Sequence, residues 1–242
     1  MQKPIRHRTY FLALGALFLA FWTALAIDPL YRHDWALENV LTALAAILLV
    51  ATYRRFPLSR VSYTLIFLFL CLHTLGSHYT YSEVPYDRWF ESAFGFSLDK
   101  ALGFERNHFD RLVHFCYGLL LAYPVREMFL RVAQARGFWG YFLPLDVTLS
   151  TSAFYELIEW AAALAFGGDL GIAYLGTQGD EWDAQKDMGL AGLGALIAML
   201  ATAAINVRLQ RDFAVEWAES LRVKDRRPLG EEAIRRMRRD RS

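Results

Sequence analysis

Residues 188–207 read M-G-L-A-G-L-G-A-L-I-A-M-L-A-T-A-A-I-N-V, a run without one charged side chain. About 20 such residues, wound into a helix, cross the hydrocarbon core of a bilayer. A helix on the surface of a soluble domain would carry a polar stripe along its length. Here the apolar residues run all round, and the nearest charges, Asp187 and Arg208, stand at the two ends. The same reading holds for residues 10–27, 35–53, 61–78 and 109–130. A sixth stretch, 141–166, is apolar except for Asp146, Glu156, Glu159 and a Ser150-Thr151-Ser152 step. It has the length of a span and lies between two others, so it is counted with them. The expectation is an all-α polytopic membrane protein. A six-helix transmembrane domain over 10–207 is flanked by an N-terminus, 1–9, and a basic tail, 208–242.

Composition agrees. The 242 residues are 55% hydrophobic, 15% aromatic and 21% charged, with a mean hydropathy of +0.20. That profile excludes a disordered chain, a collagen-like chain and a disulfide-built mini-protein. Cys71 and Cys116 both lie in apolar stretches and read as small buried hydrophobes. With 26 Lys+Arg against 25 Asp+Glu there is no general nucleic-acid signal. The expected partners are membrane lipids.

Charge distribution sets an orientation. With a cytoplasmic N-terminus and six spans, the inside segments 1–9, 54–60, 126–140 and 208–242 hold 20 of the 26 Lys/Arg. The outer side holds only Arg32, Arg88, Lys100, Arg106, Arg111 and Lys186. This is the positive-inside bias of a bacterial inner-membrane protein with both termini cytoplasmic. The acids run the other way, 16 of 25 in the outer half. The first span follows Lys3, Arg6 and Arg8 and reads as a retained anchor, although Ala24-Leu25-Ala26 has the look of a cleavage site. The outer loop 79–108, with Trp89, Phe90, Phe94 and Phe96, is expected to hold an amphipathic segment in the membrane interface. The outer loop 167–187 is glycine-rich. The tail, with R-V-K-D-R-R and R-R-M-R-R-D-R, reads as an anchor on anionic lipid.

Helices that only bury apolar surface in lipid need no ionisable groups, each of which costs about 2.5–3.5 kcal/mol at the bilayer centre. Those present gather at the outer end. The fourth span opens with R-N-H-F-D-R-L-V-H (106–114), placing Asp110 and His114 four residues apart on one helix face. The fifth carries Glu156 and Glu159 on one face of Y-E-L-I-E-W, about 10–15 Å below the outer surface by helical rise. The sixth opens with G-D-E-W-D-A-Q-K-D (179–187), where Asp183 and Asp187 again share a face. His73 and His78 close the third span, and Glu38 and Asn39 open the second. A histidine–carboxylate set converging from several helix ends is what a divalent cation needs, zinc best of all. The candidate ligands are His78, His108, His114, Glu156, Glu159, Asp183 and Asp187. The candidate catalytic residues are Glu156, Glu159, His114 and Asp110, with carboxylates off the metal acting as general base or acid. HExxH, CxxC, GxSxG and GxGxxG are all missing from the sequence.

Plainer readings exist for each group. Asp110–Arg111 and Asp183–Lys186–Asp187 are open to being interface ion pairs, His73 a hydrogen-bonded core histidine, and His78 and His108 solvated helix ends. Tyr155 and Trp160 read as packing aromatics. Glu156 and Glu159 resist such readings best, because two acids at that depth repel unless protonated, paired or metal-bound.

The segments H-F-D-R-L-V-H, F-Y-E-L-I-E-W and Y-L-G-T-Q-G-D-E-W-D-A-Q-K-D-M resemble the YjdF-type family of bacterial inner-membrane proteins, over about residues 35–207. The resemblance implies a polytopic inner-membrane protein and no established activity. The order His114, Glu156, Gln178, Asp183/Asp187 before a Gly-rich last span is similar to VanZ-like membrane proteins, a family linked to teicoplanin resistance. The longer loops and the tail here depart from it. Three functions fit the residues: a metal-dependent hydrolase or transferase on a lipid or lipid-linked substrate, a proton- or cation-coupled transporter, and a non-catalytic membrane scaffold.

Overall fold

A computed structural model describes residues 6–166, 177–224 and 229–239, and among them every element is a helix. The glycine-rich stretch 167–176 and part of the basic tail lie outside the described residues. In chain order the helices are α1 (His7–Leu25), α2 (Arg32–Thr52), α3 (Arg60–His78), α4 (Tyr86–Phe94), α5 (Leu98–Leu102), α6 (Phe109–Val132), α7 (Trp139–Phe166), α8 (Asp183–Leu209), α9 (Phe213–Ser220) and α10 (Leu229–Arg239).

Four helices, α1, α2, α3 and α8, are long and apolar enough to cross a membrane. That is fewer than the six expected. Helices α6 and α7, at 24 and 28 residues, have the length but not the composition. Asp110, Arg111, Arg126, Glu127 and Arg131 dilute α6, and Asp146, Glu156 and Glu159 dilute α7.

α6 is the central helix, packed on α8, α3 and α7, while α1 and α2 lie on α3. The α6–α8 seam depends on missing side chains. A Cβ on Gly118 would strike the Ala191 carbonyl, and one on Gly194 would strike the Phe115 carbonyl. Small residues at facing positions let helix backbones approach closely where lipid supplies no hydrophobic drive. Ala122, Ala191, Ala195 and Ala198 continue the seam, and Tyr141 and Met199 close it. α1 buries none of its residues. It is fastened by Trp22 Nε1, which donates to Asn39 Oδ1 at 2.6 Å.

The loop 79–108 is two short helices. Ser97 caps α5 by accepting from the Lys100 N–H, and Gly95 and Gly103 end α4 and α5 at φ +80° and +69°. Asp87 ties the pair together, accepting from Ser97 Oγ (2.9 Å) and from the Asp99 N–H (3.0 Å). The Asp99 N–H bond, with the Ser97 hydroxyl behind it, holds the Asp87 carboxyl below the usual range. Tyr86 donates to Asp99 at 2.7 Å. Burial first, then Asp99, pushes its phenol up to about 12. Trp89 and Phe94 remain exposed on α4. At the opposite end Glu127 accepts from the Ser59 N–H (2.9 Å), Ser62 Oγ (2.5 Å) and Arg131 Nη1 (2.9 Å), joining α3 to α6.

Candidate functional site

The first two turns of α6 present Asp110 and His114 to the first turn of α8. Possible ligand atoms of Asp110, His114 and Asp187 all lie within 4.8 Å of one another. His114 Nε2 is 3.8 Å from Asp110 Oδ1 and 3.6 Å from Glu156 Oε1, so α7 joins the group. His114 and Asp187 are buried, 7% and 2% exposed. Glu156 Oε1 and Asp187 Oδ1 are buried without a hydrogen-bond partner. Most buried polar atoms are partnered, and an unpartnered carboxylate oxygen is among the costliest exceptions.

α2 and α3 close the other side. Tyr155 donates to Glu38 Oε2 at 3.3 Å. His73 Nε2 lies 3.2 Å from the Glu38 carbonyl, which only accepts, so Nε2 carries the proton and Nδ1 receives the Tyr81 hydroxyl at 2.5 Å. Below this layer lies a cavity of about 530 Å³ between α2, α3, α6 and α7. Asp110, His114, His73, Tyr81 and Tyr155 form its polar end, and leucines, isoleucines, valines and phenylalanines form most of the rest.

Above the layer, residues 177–186 are strapped to the start of α6. Arg106 pairs with Asp183 and donates to the Thr177 carbonyl. Arg111 reaches Asp180 at 2.5 Å and Asp183 at 3.3 Å, and Lys186 reaches Asp180 at 2.5 Å. Gln178 and Asn107 exchange bonds of 3.0 and 3.2 Å. The Lys186 bond, then the Trp182 N–H and Arg111, holds the Asp180 carboxyl far below the usual range.

The expected residues therefore divide. Asp110, His114, Glu156 and Asp187 come together. Glu159 lies beside Glu156 and Tyr155, one step from the three clustered side chains. Asp183 is buried but engaged by two arginines. His78 donates to the Leu25 carbonyl at 2.8 Å, away from the cluster. His108 stacks on Phe104, ring centroids 3.9 Å apart and planes 7° from parallel. Burial, then Arg111 and Arg106, pushes its pKa down. Tyr155, which read as packing, is the donor that links α7 to Glu38. The strap through Asp180 was also missed, although its three cations are half of the six basic residues on that side.

The family described as "Predicted membrane protein (DUF2238)" matches residues 10–208. The Inner membrane protein YjdF of Escherichia coli (strain K12) is 41% identical over 208 residues, covering 84% of this chain and 95% of that protein. No solved structure matches, and these matches do not show the VanZ-like similarity. With the family match running from the first span to the end of α8, and with the helical bundle those residues form, the chain belongs to the DUF2238 family of predicted membrane proteins.

Proposed function

We propose that this protein is a divalent-cation-dependent hydrolase or transferase of the bacterial inner membrane, acting on a lipid or lipid-linked substrate. The observation that carries the reading is the convergence of Asp110, His114 and Asp187 within 4.8 Å, with Asp187 Oδ1 and the adjacent Glu156 Oε1 buried and unpartnered. One imidazole nitrogen and two carboxylates are a donor set that would suit a catalytic zinc. Such an ion polarises a phosphoryl or carbonyl oxygen and lowers the pKa of water toward about 7. Glu156, 3.6 Å from His114, is placed to take a proton from the attacking water, and Glu159 to pass it on. The apolar cavity beneath supports a substrate with a hydrocarbon part. The Lys/Arg distribution supports a periplasmic site, six spans, cytoplasmic termini and α4 lying in the interface with Trp89 and Phe94 toward lipid.

Elemental analysis of purified protein dialysed against zinc tests the reading, together with mass-spectrometric search for head groups released from a membrane lipid extract. The expected result is about one ion per chain, lost in His114→Ala and Asp187→Asn, and a zinc-dependent water-soluble product absent from both variants. Protein that binds no divalent ion and releases no product overturns it.

A further inference from the structure

The cavity occupies a seam. α2 rests on α3 and makes no comparable contact with α7. The two are bridged at the polar end by Tyr155 and Glu38. Leu41, Leu48 and Phe154 below that bridge, and Ile158 just above it, line the cavity and are at the same time exposed, so it opens sideways between α2 and α7. A side opening in helices that stand in a bilayer faces hydrocarbon chains. A volume of about 530 Å³ falls in the range of small-molecule pockets, ~300–1,000 Å³.

Four hydroxyls interrupt the apolar wall, and two of them, those of Tyr117 and Thr151, satisfy each other at 2.6 Å. Thr42 and Ser152 line the cavity, are 4% and 3% exposed, and have side-chain oxygens without a hydrogen-bond partner. The usual solution in a buried helix is donation to the carbonyl four residues back. Thr52, Thr64, Thr74 and Thr148 all adopt it. Thr42 and Ser152 do not. Each sits four residues from a carboxylate, Glu38 or Glu156, on the cavity-floor side, just over one helical turn or about 6 Å along the axis. Two donors one turn below a charged layer match an amphiphile with acceptors just beneath its head. Acyl ester carbonyls are such acceptors, whereas an isoprenoid chain has none.

We infer that the cavity holds the glycerol-ester region and one acyl chain of an ester-linked glycerolipid, with Thr42 and Ser152 donating to its ester carbonyls and its head group at Asp110 and His114. The placement of the head group rests on the proposed function; the ester recognition does not.

Native mass spectrometry of the full chain in detergent tests this. The probes are a diacyl phosphatidylethanolamine and its dialkyl ether analogue, with the same head and chain length. With two hydrogen bonds of about 1 kcal/mol each, the ester form should be retained about thirtyfold over the ether form. Thr42→Val with Ser152→Ala should bring that ratio to about one, with Thr52→Val as the unaffected control. Equal retention of the two lipids by the unaltered protein overturns the inference without recourse to any variant. So does a preference that survives the double substitution. Asp187→Asn separates the two readings. A chain that has lost its metal and keeps the ester preference supports this inference alone, and a protein that never binds metal yet prefers the ester sinks only the proposed function.

Discussion

The two ends of the bundle treat buried carboxylates in opposite ways. Glu127, near the basic end, accepts from a backbone N–H, a serine hydroxyl and an arginine. Asn206 there donates to Tyr141 at 2.7 Å, and Glu216 accepts from the Gly137 N–H and Gln210. Arg126 lies over the Tyr141 ring at 4.6 Å. At the acid-rich end, Glu156 and Asp187 each keep a buried oxygen with no hydrogen bond, and Asp34, Thr42 and Ser152 do the same. The same chain can therefore satisfy a half-buried acid with several donors at once. Leaving Glu156 and Asp187 each with an unsatisfied oxygen beside His114 costs stability that the Glu127 arrangement does not.

The contrast is sharpest in stability measurements. Glu127→Ala should cost about 3 kcal/mol, because three donors lose their acceptor at once. Thermal unfolding in detergent should show a large fall in midpoint with the metal content of the folded fraction unchanged. Glu156→Gln should move the other way in chelator-treated protein, a gain of about 1 kcal/mol from removing a buried charge next to other acids. A loss as large as that at Glu127 would erase the difference between the ends.

Asp180→Asn should give a smaller fall in the midpoint. Its pH dependence carries a sign. The Asp180 carboxyl is lower in the folded protein than in the unfolded chain, so its contribution is present above the unfolded value, about 3.9, and is lost as pH falls through the folded one. The gap between wild type and variant should hold from pH 7 to about 4 and close only in stronger acid. A gap that closes between pH 7 and 5 would place the strap under the control of another group. The smallest effect is at His108, whose imidazole should titrate below the ordinary histidine value of about 6.5 in an NMR pH series. A higher value would mean that His108 faces the carboxylates instead of Arg106 and Arg111.

Much of the bundle is readable from residue order, because a bilayer forces long apolar runs with their polar residues at the ends. Helix periodicity likewise pairs Asp110 with His114. Periodicity cannot choose between Asp183 and Asp187, which share a face of α8 with the same spacing. Arg106 and Arg111 take the first and leave the second for His114. That choice depends on how α6 and α8 cross. His78 and His108 are equally eligible by position, but His78 is held by the Leu25 carbonyl at the far end of α1, and His108 by the Phe104 ring four residues before it. Nothing in residue order sets Thr42 and Ser152 apart from Thr52, Thr64, Thr74 and Thr148. Only the cavity between α2 and α7 shows that their hydroxyls stand without acceptors.

Gly118 lies one turn below His114, and Gly194 two turns below Asp187. Both are points where the α6 and α8 main chains touch. Two positions that carry no side chain thus act as the calliper of the ligand set. Even one added methyl at either would wedge the helices apart and widen the jaws above, so an alanine far from the cluster would part Asp110 and His114 from Asp187 while all three stayed in the sequence.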